Sequence, residues 1–111
     1  AKAGLYEYEV ASAMQDAYAR RGCERNAYPP IVGSGPNSVI LHYHQNKRRM
    51  DAGDLLLMDV GAECTHYAAD ITRTIPVTGK FTPRQREIYN LVLGAQEAVI
   101  AQAKPGVKFS D

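Results

Sequence analysis

Two aspartates, Asp59 and Asp70, are the residues whose type and spacing best indicate chemistry. Asp59 follows the apolar run Leu55–Met58, and Asp70 immediately precedes the run Ile71–Ile75, which is rich in Ile and Thr. A short apolar run that stops at turn residues such as Gly61 predicts a buried strand, and β-branched residues favour a neighbouring strand. The sequence therefore predicts a hairpin with one carboxylate on each strand.

The register of this hairpin would decide whether the two carboxylates meet. A turn centred on residues 63–66 places Val60 opposite Ala69 and Asp59 opposite Asp70. Directly opposed residues have Cβ atoms roughly 4.5–5.5 Å apart, and like charges at that distance repel. Two facing carboxylates need a shared proton or a cation, and burying one is costly without compensation. We therefore predict a site at this pair.

Plainer interpretations of these residues remain open. An aspartate after a strand is often a turn residue that hydrogen-bonds its own backbone, and Asp70 could pair with Arg73. His42 and His44 are spaced to share one face of a strand, which would allow a metal pair. If that segment is a loop the geometry fails, and an exposed or hydrogen-bonded imidazole is expected instead. His66 falls in the predicted turn and should be solvated.

Composition excludes several function classes. The chain has 111 residues, of which 45% are hydrophobic and 23% charged, which suits one globular domain. Its formal net charge of +1 gives no argument for nucleic acid or an acidic partner. No apolar segment reaches the roughly 18 residues of a membrane span, and no signal peptide is visible. Cys23 and Cys64 do not make a disulfide framework, so reduced thiols in a cytoplasmic protein are expected.

Two amphipathic helices frame the candidate strands. The first is predicted over Tyr6–Arg21, with Glu7 and Glu9 in its first turn and a stop at Gly22. The second begins at Thr82, which caps it together with Gln85. The predicted apolar stripes are Val10, Ala13, Met14, Ala17 and Tyr18 in the first helix, and Ile88, Leu91, Val92, Ala95 and Val99 in the second.

The connecting segment begins a short strand at Ile31, after two prolines. The glycine-containing loop that follows, residues 33–38, does not lead into a helix as a phosphate loop would, so its glycines indicate close backbone approach. The order helix, strands, hairpin, helix predicts an α+β fold with helices on one face of a largely antiparallel sheet. Ser110 would suit the N-cap of a further helix, so we expect the chain to be a fragment.

Five segments in order carry a family resemblance: Ile31–Gly35, Leu41–Tyr43, Gly53–Asp59, Tyr67–Thr74 and Phe81–Tyr89. Together they resemble the Xaa-Pro aminopeptidases and prolidases, the proline-specific metallopeptidases of the pita-bread fold. The resemblance covers nearly the whole chain. It implies that residues 1–111 are the first half of a pita-bread (creatinase/aminopeptidase-like) catalytic domain, with the second half absent.

The resemblance implies roles for five residues. Asp59 matches the first metal-binding aspartate, and Asp70 matches the one that bridges two divalent ions, for which Mn²⁺ is expected. His42 matches a catalytic histidine that orients the scissile peptide and moves a proton without binding metal. Tyr28 matches an active-site tyrosine beside the carboxylates, and Thr72 a supporting hydroxyl.

The implied reaction is hydrolysis of the bond between an N-terminal residue and proline, by a hydroxide that bridges the metals. The family completes its site with a histidine and two glutamates from the second half, and Glu63 and Glu87 do not fall in those motifs. Residues 1–111 alone are therefore expected to be inactive and to bind metal weakly. The expected partner is a peptide with proline at its second position, with no nucleic acid and no membrane. A homo-oligomer of the full-length protein stays open.

Two other functions compete with this one. The segment Asp59–Ala62 superficially resembles the Asp-Thr-Gly-Ala signature of single-domain aspartic proteases. Val60 lacks the hydroxyl expected there, and two long helices do not suit a small all-β protease. Some pita-bread proteins also keep the fold and lose the metals, and then serve as binding modules without catalysis.

Overall fold

The computed structural model describes residues 1–108, so the predicted cap at Ser110 lies outside the described residues. The chain forms two compact units, Ala1–Lys80 and a second from Phe81 onward. In chain order the elements are α1 (Glu7–Ala19), β1 (Arg25–Asn26), β2 (Ile31–Ser34), a 3₁₀ helix (Gly35–Val39), β3 (Leu55–Val60), β4 (Ala62–Cys64), β5 (Tyr67–Ala68), β6 (Ile71–Pro76) and α2 (Pro83–Gln102).

The strands of the first unit form two three-stranded antiparallel sheets, with strand orders β1-β4-β5 and β2-β3-β6. The predicted order of helix, strands, hairpin and helix is confirmed, as is the α+β class. The chain divides its strands between two sheets where the sequence suggested one. Strand β3 belongs to one sheet and continues through Gly61 into β4, which belongs to the other. The predicted hairpin therefore contributes strands to both sheets.

Helix α1 packs its Val10 and Ala11 side chains into the core of the first unit. Val32, Met50, Leu56 and Val77 are among the side chains that complete that core. The predicted apolar stripe of this helix is correct for Val10, Met14 and Tyr18, which lie in or against the core. It is wrong for Ala13, which is exposed. Glu7, expected only in the first turn of the helix, is fully buried, because other segments of the chain surround its carboxylate.

Strand β3 buries only one of its faces. Leu56, Met58 and Val60 are buried, whereas Leu57 and Asp59 alternate with them on a half-buried face. The prediction of a buried strand therefore holds for one face only. Asp59 projects from the other face, so its carboxylate avoids the apolar core and the desolvation cost that the core would impose.

The predicted register of the hairpin was wrong. Asp59 pairs with Thr72 and not with Asp70, and Val60 pairs with Ile71. The turn contains only Thr65 and His66, whose φ angles of 49° and 68° match the two left-handed positions of a type I′ hairpin turn. The predicted turn had four residues, 63–66. Because the actual turn has only two, each residue of the first strand pairs with a different residue of the second strand. His66 is exposed there, as expected.

The segment between β2 and β3 is a loop around the short 3₁₀ helix. His42 has a φ of 53° and His44 lies in irregular backbone, so the histidines are not paired on a strand as a metal pair would require. The expected close backbone approach occurs at Gly33, where an added Cβ would lie 2.8 Å from the carbonyl oxygen of Asn37.

Cys23 and Cys64 form a disulfide, so the expectation of two reduced thiols was wrong. Cys23 follows α1 and Cys64 ends β4, and their Cα atoms lie 4.4 Å apart across a sequence separation of 41. The pairing of β1 with β4 brings the two residues together. The sequence could not reveal this, because a cysteine pair carries no information on spatial distance.

We expect reduction of this disulfide to lower the free energy of unfolding by about 2–4 kcal/mol, because the bond restricts the unfolded chain. Urea unfolding with and without dithiothreitol measures the difference. A Cys64→Ser variant is the control, since its stability should not respond to the reductant. Two reactive thiols in the native, unreduced protein would contradict the expectation.

In the second unit, α2 begins where the sequence predicted. The Thr82 hydroxyl accepts a hydrogen bond from the Gln85 N–H at 3.2 Å, and the Gln85 side chain accepts one from the Thr82 N–H at 2.9 Å. Phe81 packs at 5.0 Å from the Tyr89 ring. None of the described residues of α2 is buried, including its predicted apolar stripe. Within residues 1–108, no helix is both long enough and apolar enough to cross a membrane.

Candidate active site

One phenol brings the two predicted aspartates together. The hydroxyl of Tyr28 lies 2.6 Å from Oδ1 of Asp59 and 3.1 Å from Oδ1 of Asp70. Since a hydroxyl has one hydrogen, it donates to one carboxylate at a time. The two acidic side chains therefore converge, although they are not opposed in the sheet.

The sheet explains this convergence in spite of the wrong register. Thr72 is directly opposite Asp59, and Asp70 precedes Thr72 by two residues. Asp70 lies immediately before β6, and residues two apart along an extended chain share a face, so Asp70 lies close to the diagonal position relative to Asp59. Diagonal neighbours are roughly 7–8 Å apart at Cα, which leaves room between the carboxylates for the Tyr28 hydroxyl.

Gly61 makes room for the Tyr28 ring, and the sequence analysis did not assign it to the site. A Cβ placed on Gly61 would lie 3.1 Å from Cε1 of Tyr28 and 2.7 Å from the carbonyl carbon of Ala69. The Gly61 carbonyl accepts a hydrogen bond from the Ala27 N–H at 2.9 Å, which holds the residue before Tyr28. In the sequence, the position of Gly61 two residues after Asp59 was the one indication of this role. It could not be interpreted without the contacts that Gly61 makes with residues distant in the chain.

The environment of Tyr28 keeps its hydroxyl protonated. Burial raises the pKa of this phenol, and its hydrogen bonds with Asp59 and Asp70 raise it further. Because ionisation would place a third negative charge beside two carboxylates, the phenol acts as a donor at neutral pH. Tyr28 therefore reduces the repulsion between the aspartates without cancelling their charge.

The plainer interpretations of the aspartates do not fit the described residues. Across residues 1–108, neither Asp59 nor Asp70 forms an ion pair. Arg73, the suggested partner of Asp70, donates instead to the carbonyl oxygen of Thr72 at 2.8 Å. Among the hydrogen bonds within residues 1–108, neither carboxylate accepts one from its own turn. In the described part of the chain, the two aspartates therefore lie beside each other without an ion pair to a basic side chain.

The aspartates line a cleft of about 350 Å³ in the first unit. His42 and His44 lie on its wall, and Tyr28, Pro29, Ile31, Asp59 and Asp70 complete it. His44 Nδ1 lies 2.5 Å from the His42 carbonyl oxygen, which agrees with the hydrogen-bonded imidazole expected for His44. Thr72 lies with Asp59 and His42 on a neighbouring cleft of about 240 Å³, whose wall also includes Val39, Ile40 and Leu41. All five residues proposed for the site thus lie around these two clefts.

The donor atoms fit a hard divalent cation, but they form only part of a coordination sphere. Carboxylate oxygens suit Mn²⁺, Mg²⁺ and Ca²⁺, and sites for such ions need about six ligands. Within the described part of the chain, no group of three or more His, Cys, Asp or Glu is arranged to hold a metal. Glu63, which the sequence did not predict to be a ligand, forms an ion pair with Arg25 at 2.5 Å. Two aspartates alone would therefore bind such an ion weakly.

Comparison with known proteins identifies the family. Residues 1–111 match metallopeptidase family M24. The chain belongs to this family. Over 103 residues this M24 chain is 47% identical to the Xaa-Pro aminopeptidase of Escherichia coli (strain K12), covering 93% of the chain and 23% of that protein. It is 41% identical over 115 residues to the Xaa-Pro dipeptidase of Homo sapiens, covering 99% of the chain and 23% of that protein.

Solved structures agree with this family membership. The zinc-substituted E. coli aminopeptidase P in complex with product matches with a TM-score of 0.93 and 46% sequence identity, over 95% of this chain and 24% of that one. The proline aminopeptidase P II from Yersinia pestis matches with a TM-score of 0.85 and 46% sequence identity, over 86% of this chain and 22% of that one. The predicted pita-bread fold is therefore confirmed, and an aspartic protease is excluded. The M24 chain spans about a quarter of the length of these relatives.

Because the family resemblance implies that Asp59 and Asp70 bind metal, we expect Tyr28→Phe to lower both metal affinity and catalytic activity of the full-length protein by about 10- to 100-fold, as is typical when a group that orients metal ligands is lost. The ring remains, so only the hydrogen bonds to the carboxylates disappear. Manganese titration calorimetry and steady-state kinetics measure the two effects. Tyr67→Phe is the matched control, because Tyr67 is exposed and lies outside both clefts. Equal behaviour of the two variants would contradict the expectation.

Proposed function

We propose that the full-length protein is a metal-dependent exopeptidase that hydrolyses the bond between an N-terminal residue and proline. The observation that carries this proposal is the convergence of Asp59 and Asp70 on the Tyr28 hydroxyl, inside a cleft of an M24 fold. The similarity to an Xaa-Pro aminopeptidase and an Xaa-Pro dipeptidase supports proline as the second residue of the substrate.

In this proposal Asp59 and Asp70 would hold two divalent ions, and Asp70 would be a ligand of both, as the family resemblance implies. When bound, the ions would supply a water of lowered pKa and a Lewis acid for the scissile carbonyl. Carboxylate oxygens suit Mn²⁺ among the hard divalent ions, and because the family resemblance implies Mn²⁺, it is the metal we propose. Tyr28 fixes the directions of both carboxylates from its position between their Oδ1 atoms. We propose that a histidine and two glutamates in the rest of the full-length protein would supply the remaining ligands, as the family resemblance implies.

The cleft residues next to the aspartates would bind the peptide. His42 stands on the wall of both clefts and is exposed, so its imidazole can reach a peptide group and exchange a proton with solvent. We propose that it orients the scissile peptide and carries a proton. Pro29 and Ile31 give the larger cleft an apolar wall, and Thr72 places a hydroxyl beside Asp59.

Peptide cleavage by the purified full-length protein tests this function. With Mn²⁺ present, we expect release of the first residue from an Xaa-Pro peptide and much slower release from the matching Xaa-Ala peptide. A chelator should stop the reaction, and added Mn²⁺ should restore it. Binding of the peptide without cleavage would contradict the proposal and support a non-catalytic binding module.

Two further expectations from the sequence stay predictions. Residues 1–111 alone should not cleave an Xaa-Pro dipeptide, since two aspartates provide too few ligands for two ions. A cytoplasmic location likewise stays a prediction.

A further inference from the structure

One buried carboxylate, that of Glu7, connects separate parts of the loop that carries His42. The side chain is 0% exposed. Its Oε1 accepts hydrogen bonds from the Ser34 N–H and hydroxyl, both at 2.7 Å, and from the Asn37 amide at 3.2 Å. Its Oε2 accepts from the Tyr43 hydroxyl at 2.7 Å and from the Arg48 N–H at 2.9 Å. Through these hydrogen bonds, Glu7 connects the first turn of α1 to the end of β2 and to three residues of the segment between β2 and β3, namely Asn37, Tyr43 and Arg48.

The hydrogen bonds make Glu7 an ionised acceptor in spite of its burial. Burial raises the pKa of this carboxyl, but the bonds from Tyr43 and Ser34 side chains and from the Arg48 and Ser34 backbone lower it below the ordinary value. Charged acceptors form hydrogen bonds roughly twice as strong as neutral ones. The network is therefore strong enough to fix the conformation of a loop.

The position of His42 depends on this network through its neighbour. The Tyr43 N–H donates to the Ile40 carbonyl at 3.3 Å, which closes a turn with His42 at its third position. His42 has a φ of 53°, a left-handed conformation that costs a non-glycine residue energy and persists when its surroundings impose it. The Tyr43 side chain is buried, and its hydroxyl also accepts from the Asn37 amide at 2.9 Å. At the start of the turn, the Ile40 N–H donates to the Asn37 carbonyl at 3.2 Å, so the turn is attached through Asn37 at one end and through the Tyr43 side chain at the other.

We propose that Glu7 is a positioning residue for the reaction: through the Tyr43 hydroxyl it holds the turn that presents His42 to the cleft. This inference rests on the proposed function, in which His42 orients the scissile peptide and carries a proton. It adds Glu7 as the residue that keeps His42 in place for that role. Glu7 lies in α1 and lines neither cleft, so it acts without touching substrate or metal.

A double-mutant cycle in the full-length protein tests this coupling. Tyr43→Phe removes one hydroxyl, and Glu7→Gln keeps the shape of the side chain but removes its charge. We expect each to lower kcat by about 10- to 100-fold with a smaller change in KM and an unchanged metal content, because misplacing a group by about 1 Å can cost 10²-fold. In a His42→Ala background, each should lower kcat by less than about twofold, since coupled residues are not additive.

Val10→Ala is the control for a purely structural effect. Val10 lies one turn further along α1, in the apolar core, and its side chain has no hydrogen-bonding group. This variant should leave kcat within about twofold in both backgrounds. Additive losses from Tyr43→Phe and His42→Ala, or losses equal to those of Val10→Ala, would overturn the inference. If Glu7→Gln does not fold, the Tyr43→Phe arm decides.

A second readout is independent of catalysis. In metal-free protein with ¹³C-labelled histidine, the His42 ring signal, assigned by its loss in His42→Ala, should shift or broaden in Tyr43→Phe and stay in place in Val10→Ala. An unmoved signal would overturn the inference. If the wild-type protein cleaves no Xaa-Pro peptide, the proposed function fails, and the His42 signal alone decides whether Glu7 positions this turn.

Discussion

Asp59→Asn or Asp70→Asn in the full-length protein is expected to lower kcat/KM for an Xaa-Pro peptide by about 10³-fold or more. Asparagine keeps an oxygen for the Tyr28 hydrogen bond but removes the negative charge that a divalent ion requires. A bound metal contributes several kcal/mol to transition-state stabilisation, and each 1.36 kcal/mol corresponds to a factor of ten in rate. Steady-state kinetics and metal content by mass spectrometry would measure the loss of activity and of the ions together.

A matched control separates this effect from a general loss of acidic charge. Asp16 is exposed on α1 and pairs with the nearby Arg20 at 2.7 Å. Since exposed ion pairs contribute little, Asp16→Asn should retain activity within about twofold. Full metal content and activity in Asp59→Asn would show that the carboxylate pair is not a metal site, and the proposed function would lose its basis.

Gly61→Ala is expected to lower the free energy of unfolding by about 3 kcal/mol or more, the upper range for overpacking. The added methyl group would press against the Ala69 carbonyl group and the Tyr28 ring. Backbone on one side and a ring held by two carboxylates on the other leave little freedom to adjust. Because the collision also displaces the Tyr28 hydroxyl, activity should fall in the molecules that still fold. Urea unfolding and kinetics on the same preparation measure both effects.

Gly94→Ala provides the opposite control. Gly94 lies inside α2, and a Cβ there meets no atom within 4 Å beyond the helix's own nearby backbone. Alanine is about 1 kcal/mol better than glycine inside a helix, so this variant should be slightly more stable. If Gly61→Ala were as stable as wild type, the close approach between Gly61, Tyr28 and Ala69 would not exist in solution.

The sequence by itself determined the elements whose signals are local. The start of α2 followed from Thr82 and Gln85, because a capping box joins residues only three apart. Strands β3 and β6 followed from apolar and β-branched runs, and the break before β2 from two prolines. The motif resemblance gave the family correctly, since its segments occur in order along nearly the whole chain.

The tertiary structure decided what depends on residues far apart in the chain. The Tyr28 hydroxyl reaches Asp59 across 31 residues and Asp70 across 42, and Cys23 reaches Cys64 across 41. Hydrophobic periodicity cannot report such distances, because it records only which side of an element faces the core. The hairpin register was wrong for a related reason: residues 65 and 66 form a tight turn without the glycine or asparagine that usually marks one. The sequence predicted only that Glu7 lies in the first turn of α1, whereas its burial depends on five hydrogen bonds from distant segments.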